Sequence, residues 1–190
     1  MSDLTDYQLL KRFCAGDSDA FETLVARHKR MTYNFIYRMV GNRETADDLF
    51  QEMWLKVLRA ANTYRPQAKF TTWALQIARN ATLDHFKRSG LRRHASLDAG
   101  TEDGEGGFAE TVRSETPDPD EQLLSGERLE LLKRSVEKLP QNQREALILR
   151  IYHQLPYSDI SELLGTPEGT AKYWVHEAIK SLTENLQREE

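Results

Sequence analysis

The chain has 190 residues, 39% of them hydrophobic, enough for one ordinary domain or two small ones with separate cores. No apolar run approaches the roughly 18 residues of a membrane span, and Met1-Ser2-Asp3-Leu4 lacks the basic start and apolar stretch of a secretion signal, so a cytosolic chain without membrane insertion is expected. Cys14 is the only cysteine, which excludes an internal disulfide and a cysteine-clustered metal site and leaves a small buried hydrophobe as the expected role.

The net charge of −4 argues against a nucleic-acid partner until its distribution is read. Residues 1–94 hold 16 Lys and Arg against 10 Asp and Glu, giving +6. Residues 95–122 hold nine acids against Arg113, giving −8, and residues 123–190 come to −2. A basic module, an acidic tether and a near-neutral module follow one another.

Helix signals dominate, and the fold class expected is all-α: two small helical domains joined by a flexible acidic linker. The first helix opens at Thr5, with Gln8 three residues on as a capping box and Leu4 and Leu9 spaced as a hydrophobic staple; Gly16 ends it. A second helix carries Phe21, Leu24, Val25, His28, Thr32, Phe35 and Met39 on one stripe and stops at Gly41. His28, lying on that stripe, reads as a satisfied core histidine. A third helix is expected from Thr45, with Asp48 at the reciprocal capping position and Phe50, Met53, Trp54, Val57 and Leu58 buried. After a loop from Asn62 to Phe70 that contains Pro66, Thr71 is expected to cap a fourth helix running to about Arg88.

From Ser89 to about Pro119 the composition turns to Gly, Asp, Glu, Ser and Thr, which cannot bury enough apolar surface to offset its ordering entropy. Helical period returns with Leu124, Leu131, Leu132 and Val136, is broken at Leu139-Pro140, and resumes with Leu147, Ile148 and Ile151. The end of the chain reads as a helix-turn-helix. Ser158 caps a short helix with Ile160, Leu163 and Leu164 inward, Gly165 makes the turn, and Thr166-Pro167 start a second helix with Ala171, Val175, Ala178, Ile179 and Leu182 inward. Glu168, Gly169, Lys172, Tyr173 and His176 are left outward, near the end that a recognition helix presents to base edges. Taken alone, this pattern fits a DNA reader and an ordinary bundle equally.

The third helix carries a second feature. Asp48, Glu52, Leu55 and Arg59 share the side away from its apolar stripe, with Asp47 nearby, so a leucine sits beside carboxylates on an exposed face. A solvated face gives this pattern, and so does a helix that docks on a basic partner.

Ala46-Asp47-Asp48-Leu49-Phe50-Gln51-Glu52, Phe70-Thr71-Thr72-Trp73 with Ile77-Ala78-Arg79-Asn80, Leu139-Pro140 with Gln143-Arg144-Glu145, and Tyr157-Ser158-Asp159-Ile160 through Gly169-Thr170-Ala171-Lys172 follow one another in order. Together they resemble the successive signatures of extracytoplasmic-function sigma factors of the sigma-70 family, over the whole chain apart from the linker. The resemblance implies a domain at 1–94 that grips core RNA polymerase and the minus-10 element, a linker at 95–122, and a domain at 123–190 that reads the minus-35 element. It implies a sigma factor that directs polymerase to particular promoters and assists their opening, with no catalytic residue, cofactor or metal of its own.

Carried over by motif, Asp47, Asp48, Leu49, Gln51 and Glu52, with Leu55 from the exposed stripe, match the polymerase-binding segment, which docks on a basic coiled coil. The Asn62 to Phe70 loop with Asn80 matches the pocket for a base flipped from the non-template strand. Tyr64, Phe70 and Gln76 lie in or beside it, although Tyr64 and Phe70 fit a core role as well, and Trp73 reads as core. Arg79, Lys87 and Arg88, followed by Arg92 and Arg93, suit phosphate contact beside that element or a basic helix end. Glu168, Gly169, Thr170, Lys172, Tyr173, Trp174 and His176 fall at the minus-35 reading positions. There the chain departs from the family, with Trp174, Glu177 and Ile179 where Arg is usual and Tyr173 for a small polar residue. Many family members are held by an anti-sigma factor, a partner the sequence neither requires nor excludes. The competing reading is a stand-alone helix-turn-helix regulator, which lacks a use for the polymerase-binding motifs. His28, His85, His94, His153 and His176 are scattered, which gives an enzyme no site.

Overall fold

The computed structural model describes residues 4–66, 69–96 and 130–188, with side chains from 91 to 96 left aside. The chain divides into two compact units, Met1–Glu105 and Gly106–Glu190. Every regular element among the described residues is helical. The expected linker lies outside them, except that residues 95 and 96 are helical.

In the first unit α1 (Asp6–Cys14) is closed at its N-terminus by the expected box: Gln8 N donates to Thr5 Oγ1 while Thr5 N donates to Gln8 Oε1. Asp17 caps α2 (Ser18–Val40) by accepting from Ala20 N, and Gly41, at φ 73°, ends it in the left-handed conformation that a residue without Cβ adopts at little cost. The cap of α3 (Arg43–Ala60) is Asn42, whose Oδ1 accepts from Thr45 N at 2.9 Å, so the helix starts two residues before the expected Thr45. A 3₁₀ turn, Ala61–Thr63, follows it. The fourth helix, α4 (Phe70–Ser96), begins a residue before Thr71, with Trp73 N donating to Lys69 O, and continues past Arg88.

Helix α2 packs against α1, α3 and α4, and α3 packs against α4. Leu24, Phe35, Ile36, Met53 and Leu75 are fully buried between them. Each contributes about 1.5–3 kcal/mol of burial. Two expectations about the core fail. Cys14, in the last turn of α1, is exposed. Leu58 is 39% exposed and Phe50 only half-buried, while Leu49 takes an inward place on α3.

In the second unit a helix over 130–137 (α5) leads through Leu139-Pro140 to α6 (Gln141–Ile151), then α7 (Tyr157–Leu164) and α8 (Glu168–Arg188). Leu124 lies outside the described residues. Leu139, Leu147, Ala178 and Leu182 form a core that Leu132 and Val136 join. Arg144 fastens the α5–α6 corner by donating to the carbonyls of Glu137 and Leu139, and burial pulls its pKa down from the usual guanidinium range. Ile151 and Ile179, expected inward, are 51% and 46% exposed. Ile148 and Ala178 are buried as expected, and what the helical period alone did not show is that their neighbours Ile151 and Ile179 lie at the edge.

Candidate functional site

Three surfaces carry the residues singled out from the sequence. On α3, Asp47, Asp48, Gln51, Leu55 and Arg59 are exposed and Glu52 is half-buried. Leu55, 53% exposed beside these carboxylates, has no role in the core. Leu49 is corrected: at 3% exposure its side chain faces the core, because it falls on the same face as Met53 and Val57. Tyr33 donates to Asp47, and burial, with that hydrogen bond, raises the tyrosine's pKa.

Glu52 is the centre of a charge network that joins α3 to α4. Lys56 Nζ lies 2.8 Å from its Oε1 and Arg88 3.5 Å from its Oε2, while Lys56 also reaches Asp84 at 3.8 Å. The hydrogen bond from Lys56 leads in holding the Glu52 carboxyl below its usual range. Asp48, Glu52, His85 and Arg88 line a groove of about 280 Å³ between the two helices. Sequence reasoning missed this pairing of an expected polymerase-binding residue with an expected DNA-binding one. Their separation of 36 positions offers no periodic signal.

The second surface surrounds the start of α4. Tyr64 and Phe70 are buried, at 6% and 3% exposure, in an aromatic cluster where Tyr64 stands 5.0 Å from Trp73 and Phe70 4.8 Å from His28, ring centre to ring centre. Of the two readings open for them from the sequence, both side chains take the core one here, and Trp73 is half-buried against them. His28 is buried as expected, its Nε2 3.0 Å from Asp6 Oδ2 but out of line for a hydrogen bond. Gln76 Nε2 donates to Asn80 Oδ1 at 3.3 Å, which fixes the direction of an otherwise exposed Asn80 amide. Arg79 is half-buried, and Lys87 and Arg88 are exposed further along the helix. Residues 67 and 68 of the expected loop lie outside the described residues.

The third surface is the helix-turn-helix formed by α7 and α8. Pro156, with no side-chain cap bond, precedes α7, so Ser158 lies inside its first turn and does not cap it. Gly165 ends α7 at φ 64°, and Ser161 Oγ locks the turn by donating to Thr166 O at 2.6 Å. Arg150 ties α6 to the motif, donating to Leu155 O while its guanidinium lies 4.8 Å over the Tyr157 ring. On α8 Glu168, Gly169, Lys172, Tyr173 and His176 are exposed as expected, and Thr170 and Trp174 are half-buried. Glu177 sits 3.5 Å from His176 Nδ1.

Residues 24–92 match sigma-70 region 2 and residues 129–182 match sigma-70 region 4. The chain is 30% identical to RNA polymerase sigma-H factor of Pseudomonas aeruginosa over 96% of its own length and 94% of that protein's. It is 27% identical to the ECF RNA polymerase sigma factor SigW of Bacillus subtilis, over 94% and 95% of the two lengths. Among solved structures, the sigma factor RpoE of Bartonella quintana, crystallised with the anti-sigma factor NepR, shares the fold at a TM-score of 0.71 and 21% identity, over 88% of this chain and 96% of that one.

Proposed function

Because this chain belongs to the extracytoplasmic-function sigma factors of the sigma-70 family and acts in transcription initiation, we propose a division of labour among its three surfaces. The α3 stripe of Asp47, Asp48, Gln51, Glu52 and Leu55 docks on a basic helical surface of core RNA polymerase. What carries this reading is Leu55, exposed beside carboxylates on a helix whose opposite face is fully used by the core. The carboxylates steer the encounter and the leucine supplies apolar contact.

At the start of α4, the Asn80 amide, oriented by Gln76, receives a base that leaves the stack during promoter opening. Unstacking costs a few kcal/mol, and hydrogen bonds to the base edge offset part of it. Arg79, Lys87 and Arg88 hold the neighbouring phosphates. In the second unit α8 enters the major groove of the minus-35 element with Lys172, Tyr173 and His176 foremost. The limits proposed for the two domains are 1–94 and 123–190, with the tether at 95–122 between them. The chain carries no chemistry of its own, since the polymerase makes the bonds. It works in the cytoplasm; no described helix is long and apolar enough to cross a membrane. The proposal extends to an anti-sigma regulator, the kind of partner with which the Bartonella quintana protein was crystallised.

The test adds the purified chain to sigma-free core polymerase and maps transcription starts on genomic templates. New starts sharing upstream elements at two fixed spacings are expected. Sequence-specific DNA binding by the chain alone, with no new starts in the presence of core, would favour the stand-alone regulator.

A further inference from the structure

Tyr33, on α2, lies outside the motifs that carry the family resemblance. Its ring is held from two sides: it stacks on Tyr37, with centres 6.2 Å apart and 6° between the planes, and meets Phe50 of α3 edge to face at 5.6 Å. A phenol fixed in this way has few directions left for its hydroxyl, and it donates to the Asp47 carboxylate on α3. Tyr33 is half-buried and Asp47 exposed, so the bond runs from the α2–α3 packing out to the docking face. Asp47 shares that side of the helix with the exposed Gln51 and Leu55. The donors set the carboxylates of α3 apart. Glu52 faces Lys56 and Arg88, whose positive charges offset its own. A neutral phenol offsets no charge on Asp47, and a carboxylate that accepts one hydrogen bond has further lone pairs for a partner's cation.

We infer that Tyr33 is a positioning residue for polymerase docking, holding the Asp47 carboxylate in the direction that the basic partner requires before the two meet. The inference rests on the docking role proposed above for α3. An exposed aspartate samples several rotamers, and a partner that needs one of them must first stop the exchange. With Tyr33 in place that ordering is already complete in the free chain, and docking is strengthened without a further contact. A charge steers an approaching partner whichever way its carboxylate points, so the hydroxyl acts on the lifetime of the complex and leaves the encounter rate alone.

The test follows association and dissociation of the labelled full-length chain with sigma-free core polymerase. Tyr33→Phe keeps the ring and deletes only the hydroxyl. It should shorten the lifetime of the complex about threefold, the effect of ordering one side chain, with the association rate unchanged. Asp47→Ala should both slow association and shorten the lifetime. In that background Tyr33→Phe should change nothing further, because the hydroxyl acts through the carboxylate. An unchanged lifetime in Tyr33→Phe overturns the inference. So does an equal loss with and without the Asp47 carboxylate, which would make the hydroxyl a contact or a packing group in its own right, and so does a loss confined to the association rate. If Asp48→Lys with Glu52→Lys weakens binding while Tyr33→Phe and Asp47→Ala are silent, only the positioning role fails. If all of these variants bind core as the native chain does, the docking role of α3 falls and that of Tyr33 with it.

Discussion

Reversing Asp48 and Glu52 together tests the polymerase-docking surface at its most charged point. Within the folded chain the change is mild. Glu52 has partners at 2.8 Å and 3.5 Å, Lys56 and Arg88, but all three side chains are a third or more exposed. Exposed pairs of this kind contribute about 0.5 kcal/mol or less each, and a like-charge pair at the same spacing costs a similar amount. The combined loss is about 1 kcal/mol against a folding stability of roughly 5–15 kcal/mol. The chain therefore stays folded. At the interface, removing one member of a desolvated charge pair costs about 2 kcal/mol or more, roughly a 30-fold rise in Kd. Asp48→Lys with Glu52→Lys should thus lower the affinity for sigma-free core at least that far in a titration of labelled full-length chain. The loss should shrink as salt is raised. Glu184→Lys, an exposed reversal in the second unit, is the control. Binding of the folded double variant within twofold of the native chain, at low and physiological salt alike, would refute the docking role of α3.

The other predictions follow from single positions. Asn80→Ala should slow open-complex formation on duplex promoters and matter less on templates already mismatched at the minus-10 element, where unpairing costs nothing; an equal loss on both, measured by permanganate footprinting, would assign Asn80 a structural role. Glu177→Arg should strengthen holoenzyme binding to minus-35 DNA on all sequences and steepen the salt slope by about one unit, whereas Tyr173→Ala should alter base preference with little change in slope. If Glu177→Arg and Lys172→Ala both leave binding unchanged, α8 is not on DNA. Gly165→Ala has open space for its Cβ, so its cost is that of the left-handed backbone alone, about 1–2 kcal/mol. Amides of α7 and α8 should then exchange faster in the full chain, Gly165→Asn less so, and unchanged exchange would show that the turn can be made another way.

Much of the fold was legible because helix ends are set by local chemistry. The box at Thr5 and Gln8 and the left-handed stops at Gly41 and Gly165 involve groups within a few residues of one another, and each fell where expected. The starts of two helices were not read correctly: Asn42 caps α3 ahead of Thr45, and α7 begins after Pro156, without a side-chain cap, ahead of Ser158. The exposed faces of α3 and α8 were legible too, since the periodicity that buries Met53 and Val57, or Ala171 and Val175, leaves the other side out.

Burial at the margins of those stripes was decided by what packs against them. Leu49 turned inward and Ile151 and Ile179 outward because neighbouring helices cover one flank of a stripe and not the other. Tyr64 and Phe70 entered the core because His28, distant in sequence, closes an aromatic cluster around them with Trp73, one turn on from Phe70. The Glu52–Arg88 contact exists only once helices separated by tens of residues lie side by side. Caps, stops and amphipathic faces were set by the sequence itself, because a hydrogen bond three residues away and a 3.6-residue period are properties of one segment. Which flank of a stripe is covered, and which charges meet across helices, was decided by packing, because it depends on groups the segment does not contain.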